Sequence, residues 1–142
     1  MIEIIPARTA QQMADIFEIR RKVFVIEQGV DPNEEYDEHE ENSQHFIAKY
    51  KGISAGTCRF RNTENGIKLE RFAVLKEFRG KGIGAALVKG CLEKIQESPD
   101  PQNRVYLHAQ SHAESFYAQF GFIKKGEMFV EANIDHYKMI LD

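Results

Sequence analysis

Residues 69–87 read LERFAVLKEFRGKGIGAAL. An apolar, strand-like run through Phe72, Ala73 and Val74 leads to Arg79, then to Gly80, Gly82 and Gly84 at alternate positions, then to an apolar helical run. Glycine reaches backbone conformations closed to other residues and lets a ligand approach the chain. A helix N-terminus carries amides with no intrachain partner, and the helix dipole adds partial positive charge there. The turn therefore predicts an anion site in which a phosphate or pyrophosphate rests on Gly80 to Ala85. Arg79 and Lys81 add cationic charge. The common nucleotide motifs fit poorly. A P-loop needs a Gly-Lys-Ser/Thr ending, which is absent. GKGIGA satisfies the loose G-x-G-x-x-G/A pattern, but that pattern normally follows the first strand of its unit. Here at least two strands come earlier, and the acid at the right distance, Asp100, falls in the loop before the next strand.

Working outward, the helix after the glycines keeps Ile83, Leu87, Cys91 and Ile95 on one face, and ESPDPQN breaks it at 97–103. Upstream, HFIAKY and ISAGTCRF read as a hairpin joined at Lys51-Gly52, and NTENG turns the chain into a third strand, IKLERFAVL. Before these, IEII is a short strand ended by Pro6. Thr9 caps a helix with apolar positions Met13, Ile16, Phe17, Val23 and Phe24, which fades near Gly29. Downstream lie a strand, VYLHA, and a short helix, AESFYAQF, ended by Gly121. Two more strands, FIKKGEMFV and HYKMIL, close the chain. The order β-α-loop-β-β-β-α-β-α-β-β predicts a mixed α/β (α+β) sandwich with helices packed on one sheet.

At 142 residues the chain suits one domain, 1–142, and its 42% hydrophobic and 29% charged content is ordinary for a globular protein. A net charge of −3 gives no reason to expect nucleic acid. Only Cys58 and Cys91 are present, in no metal or redox motif, so a reducing cytoplasm is expected. The start MIEIIPARTA lacks the features of a signal peptide, and no apolar run is long enough to span a membrane. An exposed edge strand leaves a homodimer open. His108 and His112 are four apart, but a strand end separates them, and His39, His45 and His136 show no ligand spacing, so no metal is expected.

The match extends beyond the glycines. LERFAVLKEFRGKGIGAAL resembles the acyl-CoA-binding motif of the GNAT acetyltransferases, Arg/Gln-x-x-Gly-x-Gly/Ala, carried here by Arg79, Gly82 and Gly84. AESFYAQFGF resembles the family's second signature, Ala-x-x-x-Tyr-x-x-x-Gly-Phe, on Ala113, Tyr117, Gly121 and Phe122. RRKVFVIEQ and NIDHYKM are further similar to a small bacterial ElaA-like branch.

The resemblance implies a mixed, mostly antiparallel central sheet flanked by helices, and direct transfer of acetyl from acetyl-CoA to a primary amine of a small molecule or peptide. It implies that the pantetheine arm pairs with Phe72, Ala73 and Val74. The pyrophosphate would lie on Gly80, Lys81, Gly82, Ile83, Gly84 and Ala85 beside Arg79. The strand VYLHAQ would splay from its neighbour to admit the thioester. Gln110 stands where many relatives carry Asn, so its contact with the cofactor is an open point. Tyr117 stands where the family places the proton donor to the departing thiolate. An ammonium with a pKa near 10.4 must lose a proton before attack, and Glu70, Glu27 and His112 are rival acceptors. His136 is a candidate for lining the acceptor pocket. The acidic stretch from Asp31 to Glu41 is either a solvated loop or a steering field for a cationic amine. Two other functions compete. One is a module that holds acyl-CoA without turnover, and the other is an acyl-homoserine-lactone-synthase-like acyltransferase, for which the chain is short.

Overall fold

The computed structural model describes residues 1–97 and 104–141. Asp100 and the prolines of the break after the long helix lie outside them. The chain runs β1 (Ile2–Pro6), α1 (Ala10–Arg20), a π-helical turn (Arg21–Glu27), α2 (Pro32–Glu35), β2 (Gln44–Tyr50), β3 (Ile53–Thr63) and β4 (Gly66–Val74). It continues with α3 (Ile83–Gln96), β5 (Val105–Gln110), α4 (Glu114–Ala118), β6 (Phe122–Lys124), β7 (Phe129–Glu131) and β8 (Ile134–Leu141). The sheet order is β1-β2-β3-β4-β5-β8-β6, with β7 paired to β8. Only β4 and β5 run parallel among these pairs. The mixed, mostly antiparallel sheet flanked by helices is therefore as expected.

Local chemistry explains most boundaries. Thr9 accepts from the Gln12 amide while the Gln12 side chain returns to the Thr9 amide, closing a capping box at the start of α1. Lys51 and Gly52 both take positive φ, 51° and 82°, the conformation a two-residue hairpin requires. The last long strand expected at 122–130 divides instead into β6 and β7, and Gly126 at φ 85° turns the chain between them. The first helix continues into the π-helical turn, which keeps Val23 and Phe24 buried, and ends at Glu27, close to Gly29 as expected.

The main core lies between the sheet and α3 and α4, where Leu87, Val88, Cys91, Leu107 and Met139 are fully or almost fully buried. Each such aliphatic side chain contributes roughly 1.5–3 kcal/mol. A smaller cluster, Ile19, Val23, Phe24 and Ala73, seats α1 and the π-helical turn on the opposite face. A bulge in β4 sets the two faces. Thr57 pairs Ala73 and Arg59 pairs Glu70, so two residues of β4 stand opposite Cys58 alone. Arg71 absorbs the extra step at φ 59°. The slip moves Phe72 and Val74 onto the main core, with Leu69, and Ala73 onto the face under α1. No helix among the described residues is long and apolar enough to cross a membrane.

Candidate active site

The β4–β5 ladder ends early. It pairs Ile67–Leu69 with Val105–Leu107, yet β4 runs on to Val74 and β5 to Gln110. Beyond Leu69 the two strands part, so the edge of residues 70–74 facing β5 has no strand partner. Two cavities meet at this opening. One, of about 450 Å³, lies over the glycine turn and is lined by Gly80, Gly82, Ile83, Gly84 and Ala85. The other, of about 740 Å³, lies between the π-helical turn, the acidic segment, β5 and the β7–β8 turn. Phe72, Ala73, Val74, Arg79, His112 and Tyr117 line both.

Gly80 and Gly82 take φ 79° and 84°, and a Cβ on either would meet nothing within 4 Å. These two glycines serve the turn and open space, not packing. Gly84 differs, because a Cβ there would stand 3.3 Å from Phe116. Gly82 is the N-cap of α3 and contributes no side-chain cap, so the first amides of the helix face the cavity unanswered. Lys81 lies 5.5 Å from the centre of the Tyr50 ring and is not among the residues lining either cavity. Arg79 is engaged elsewhere. Its Nε donates to the Val74 carbonyl at 2.9 Å, and its terminal nitrogens grip Glu27 at 2.7 and 2.9 Å. Two residues expected in separate roles, anion binding and proton acceptance, are thus one ion pair across the mouth of the cleft. Gln110 bonds Gln28 at 2.9 Å and lines the larger cavity, not the one over the glycines.

Tyr117 sits among Phe72, Phe116 and Phe122, above the Cys58 and Cys91 thiols, whose sulfurs are 3.2 Å apart. Burial pushes its hydroxyl pKa well above the ordinary value of 10. At neutral pH the group stays protonated and is a hydrogen-bond donor.

The acidic segment divides: Asp31, Glu34, Glu38 and Glu41 stay solvated, while Glu35, Asp37 and Glu40 turn inward to buried arginines. Arg20 and Arg59 are almost wholly buried, and the segment folds onto them. Arg20 binds Glu35 at 2.8 Å and both oxygens of Glu40 at 2.8 Å. Arg59 binds Asp37 at 2.8 and 3.0 Å and Glu40 at 2.9 Å, and it contacts Glu70 through Nε at 2.7 Å and through a terminal nitrogen. Arg71 adds Asp37 at 3.1 Å and Glu35 at 3.2 Å. Burial works to raise the Glu70 carboxyl, but the charges of Arg59, Lys68 and Arg61 outweigh it and bring its pKa down to about 2. Burial likewise works to raise the Asp37 carboxyl, but Arg59 and Arg71 outweigh it and hold its pKa below the usual carboxylate range. Glu70 lines the cleft as a firmly ionised, multiply paired group, which makes it a poor proton acceptor.

A second cluster escaped the motif reading. His108 Nδ1 lies 3.4 Å from Glu131 Oε1, and His136 Nε2 lies 3.8 Å from Glu131 Oε2. Both rings pack on Phe129, at 5.0 and 5.8 Å. All three polar residues line the larger cavity, so His136 does face the cleft, while His112 stands at the junction. Among the described residues no group of three or more His, Cys, Asp or Glu is arranged to hold a metal ion.

A sheet that opens between two parallel strands, with bare helix amides on one side and a polar cleft on the other, defines an acyl-CoA N-acyltransferase type of fold. The family model for the acetyltransferase (GNAT) domain matches residues 6–142, and the chain belongs to that family. It is similar to the uncharacterized N-acetyltransferase YjcF of Bacillus subtilis, at 35% identity over 137 residues covering 96% of each chain. The crystal structure of Escherichia coli ElaA superposes with a TM-score of 0.87 at 26% identity, covering all of both chains. A GNAT family acetyltransferase from Elizabethkingia anophelis, solved with acetyl-CoA bound, superposes at 0.70 and 19% identity over 98% of this chain and 94% of that one. Membership makes this chain an acyltransferase and does not favour a module without turnover.

Proposed function

We propose that the chain transfers acetyl from acetyl-CoA directly to a primary amine on a small molecule or peptide. The observation that carries this reading is the junction: Phe72, Ala73, Val74, Arg79, His112 and Tyr117 border both the cavity over the glycine turn and the polar cleft. Acetyl-CoA enters along the unpaired edge of β4, with its amide groups adding to the strand. Its pyrophosphate rests on the amides of Ile83, Gly84 and Ala85 and competes with Glu27 for Arg79.

That competition assigns roles to the two paired residues. Glu27 lines the cleft and its side chain is 32% exposed, so losing Arg79 to phosphate turns a free carboxylate toward the amine. Glu27, directly or through a water, then takes the ammonium proton. The amine nitrogen attacks the thioester carbonyl, the carbon–sulfur bond breaks, the Tyr117 hydroxyl protonates the departing thiolate, and the second proton lost from nitrogen restores the Tyr117 hydroxyl. Glu70 holds the cleft floor in place and takes no proton, as its low pKa requires.

The test is release of CoA thiol across a panel of primary amines, with the product identified by mass spectrometry. Amine-dependent thiol release with an N-acetylated product supports the reading. Release that is independent of the amine, or a covalent acyl-protein trapped by acid quench, would count against direct transfer.

A further inference from the structure

Two cations on the floor of the cleft keep hydrogen-bond donors that its carboxylates do not take. Glu70 alone faces three cations, Arg59 at 2.7 Å, Arg61 at 2.9 Å and Lys68 at 3.2 Å. Arg59 is fully used, since Asp37 and Glu40 take its remaining donors. Arg61 and Lys68 are not. Among the described residues Arg61 bonds Glu70 through Nε alone, and Lys68 meets only Glu70. The two terminal nitrogens of the Arg61 guanidinium therefore find no acceptor among those residues, and the Lys68 ammonium has donors to spare.

Both heads belong to the cleft. Arg61 and Lys68 are register partners across β3 and β4, so they rise from one point on one face of the sheet. Their side chains are only 17% and 13% exposed, and both line the larger cavity. Lys68 stands one residue before the place where β4 and β5 part. Glu34 and Glu131 line the same cavity, and the charge of Lys68 helps to hold the Glu131 carboxyl below the usual range, so Lys68 is shared between Glu70 and Glu131 while the free donors of Arg61 stay unanswered among the described residues.

We propose that the acceptor is an amine that also carries an anionic group, a carboxylate or a phosphate, and that Arg61 and Lys68 bind this group. The inference rests on the acyltransferase reading of the cleft and narrows its substrate class. A doubly charged guanidinium–ammonium pair suits an oxyanion through bidentate and point-charge contacts together. A diamine or polyamine would instead meet like charge at the floor.

Four acceptors with short tails separate the cases: 4-aminobutanoate, O-phosphoethanolamine, butylamine and putrescine. Each is given with acetyl-CoA to the whole chain and to the Lys68→Met and Arg61→Gln variants, and thiol release is followed. The expected result is a kcat/KM at least tenfold higher for 4-aminobutanoate or O-phosphoethanolamine than for butylamine, and lower still for putrescine. Whichever anionic acceptor wins identifies the source as carboxylate or phosphate. Either variant should shrink the anionic-over-butylamine ratio at least fivefold, mainly through KM, and a ratio is insensitive to partial loss of folded protein. Equal turnover of butylamine and both anionic amines, or a ratio unmoved in both variants, overturns the proposal. Calorimetric titration of the acceptors into the CoA-loaded protein covers slow acceptors: heat from an anionic amine that Lys68→Met abolishes supports the proposal, and no heat from either anionic amine overturns it. Failure of CoA itself to bind is a separate outcome, and it removes the acyltransferase reading.

Discussion

Replacing Glu70 by Gln removes one charge from the centre of the buried ion-pair network while keeping the shape of the side chain. The carboxyl pKa falls from 4.5 to about 2 on folding, with the group almost fully buried. Each pKa unit corresponds to about 1.4 kcal/mol, so ionised Glu70 adds about 3 kcal/mol of stability at neutral pH. A depressed folded pKa contributes stability above the unfolded value and loses it as pH falls through the folded one. The wild-type advantage over Glu70→Gln is therefore complete above pH 4.5 and fades toward pH 2. Urea unfolding followed by far-ultraviolet circular dichroism reads this directly. With a slope of roughly 1–3 kcal/mol/M, the variant's midpoint drops by about 1–3 M at neutral pH. The two midpoints should converge at the acid end. Equal midpoints at neutral pH, or a gap that persists unchanged in acid, would refute the place of Glu70 as the ionised centre of the network.

Other perturbations separate the remaining parts. Tyr117→Phe should lower kcat about 100-fold, within the range for loss of a general acid, with little change in unfolding midpoint because no hydrogen bond shifts the hydroxyl's pKa; steady-state kinetics beside a urea curve checks both. Glu27→Gln should lower kcat yet tighten CoA binding, since it frees Arg79 for phosphate; weaker CoA binding would contradict the competition. Gly56→Ala places a Cβ 3.0 Å from the Ala73 carbonyl and 3.1 Å from Ile83 Cγ2, and should cost about 1–3 kcal/mol by wedging α3 off the sheet; thermal unfolding measures it.

The fold was legible where local chemistry decides it. Thr9, Lys51-Gly52 and the glycines at 80 and 82 each marked a boundary the structure keeps. The turn signals at Lys51-Gly52 and NTENG placed β2 to β4, and the two signatures placed the opened strands and Tyr117 together. The bulge at Arg71 was invisible, because an arginine at φ 59° gives no composition signal and is held there by the register of the neighbouring strand. The division of residues 122–131 was missed for a related reason: Lys124, Lys125 and Gly126 permit either a strand or a turn, and pairing with β8 decides.

The acidic segment shows the limit most plainly. Asp37 and Glu40 look like a solvated run until Arg20 and Arg59, about twenty residues away on either side, are brought beneath them. A signal was present in the strands themselves. Arg59 and Arg61 alternate with apolar residues, as do Lys68 and Glu70, which places four charges on one face at the site. Glu131 had no motif to announce it, since His108 and His136 reach it from two other strands.

The most direct measurement is calorimetric titration of CoA into the wild-type protein and into Gly82→Glu. A Cβ at Gly82 would meet no atom within 4 Å, so a glutamate side chain would enter the space assigned to the pyrophosphate with charge of the same sign. Saturable binding of CoA to the wild type and none to the variant is expected, with both remaining folded. Absence of binding to the wild type, or equal binding to both, would contradict the claim that this turn holds the cofactor.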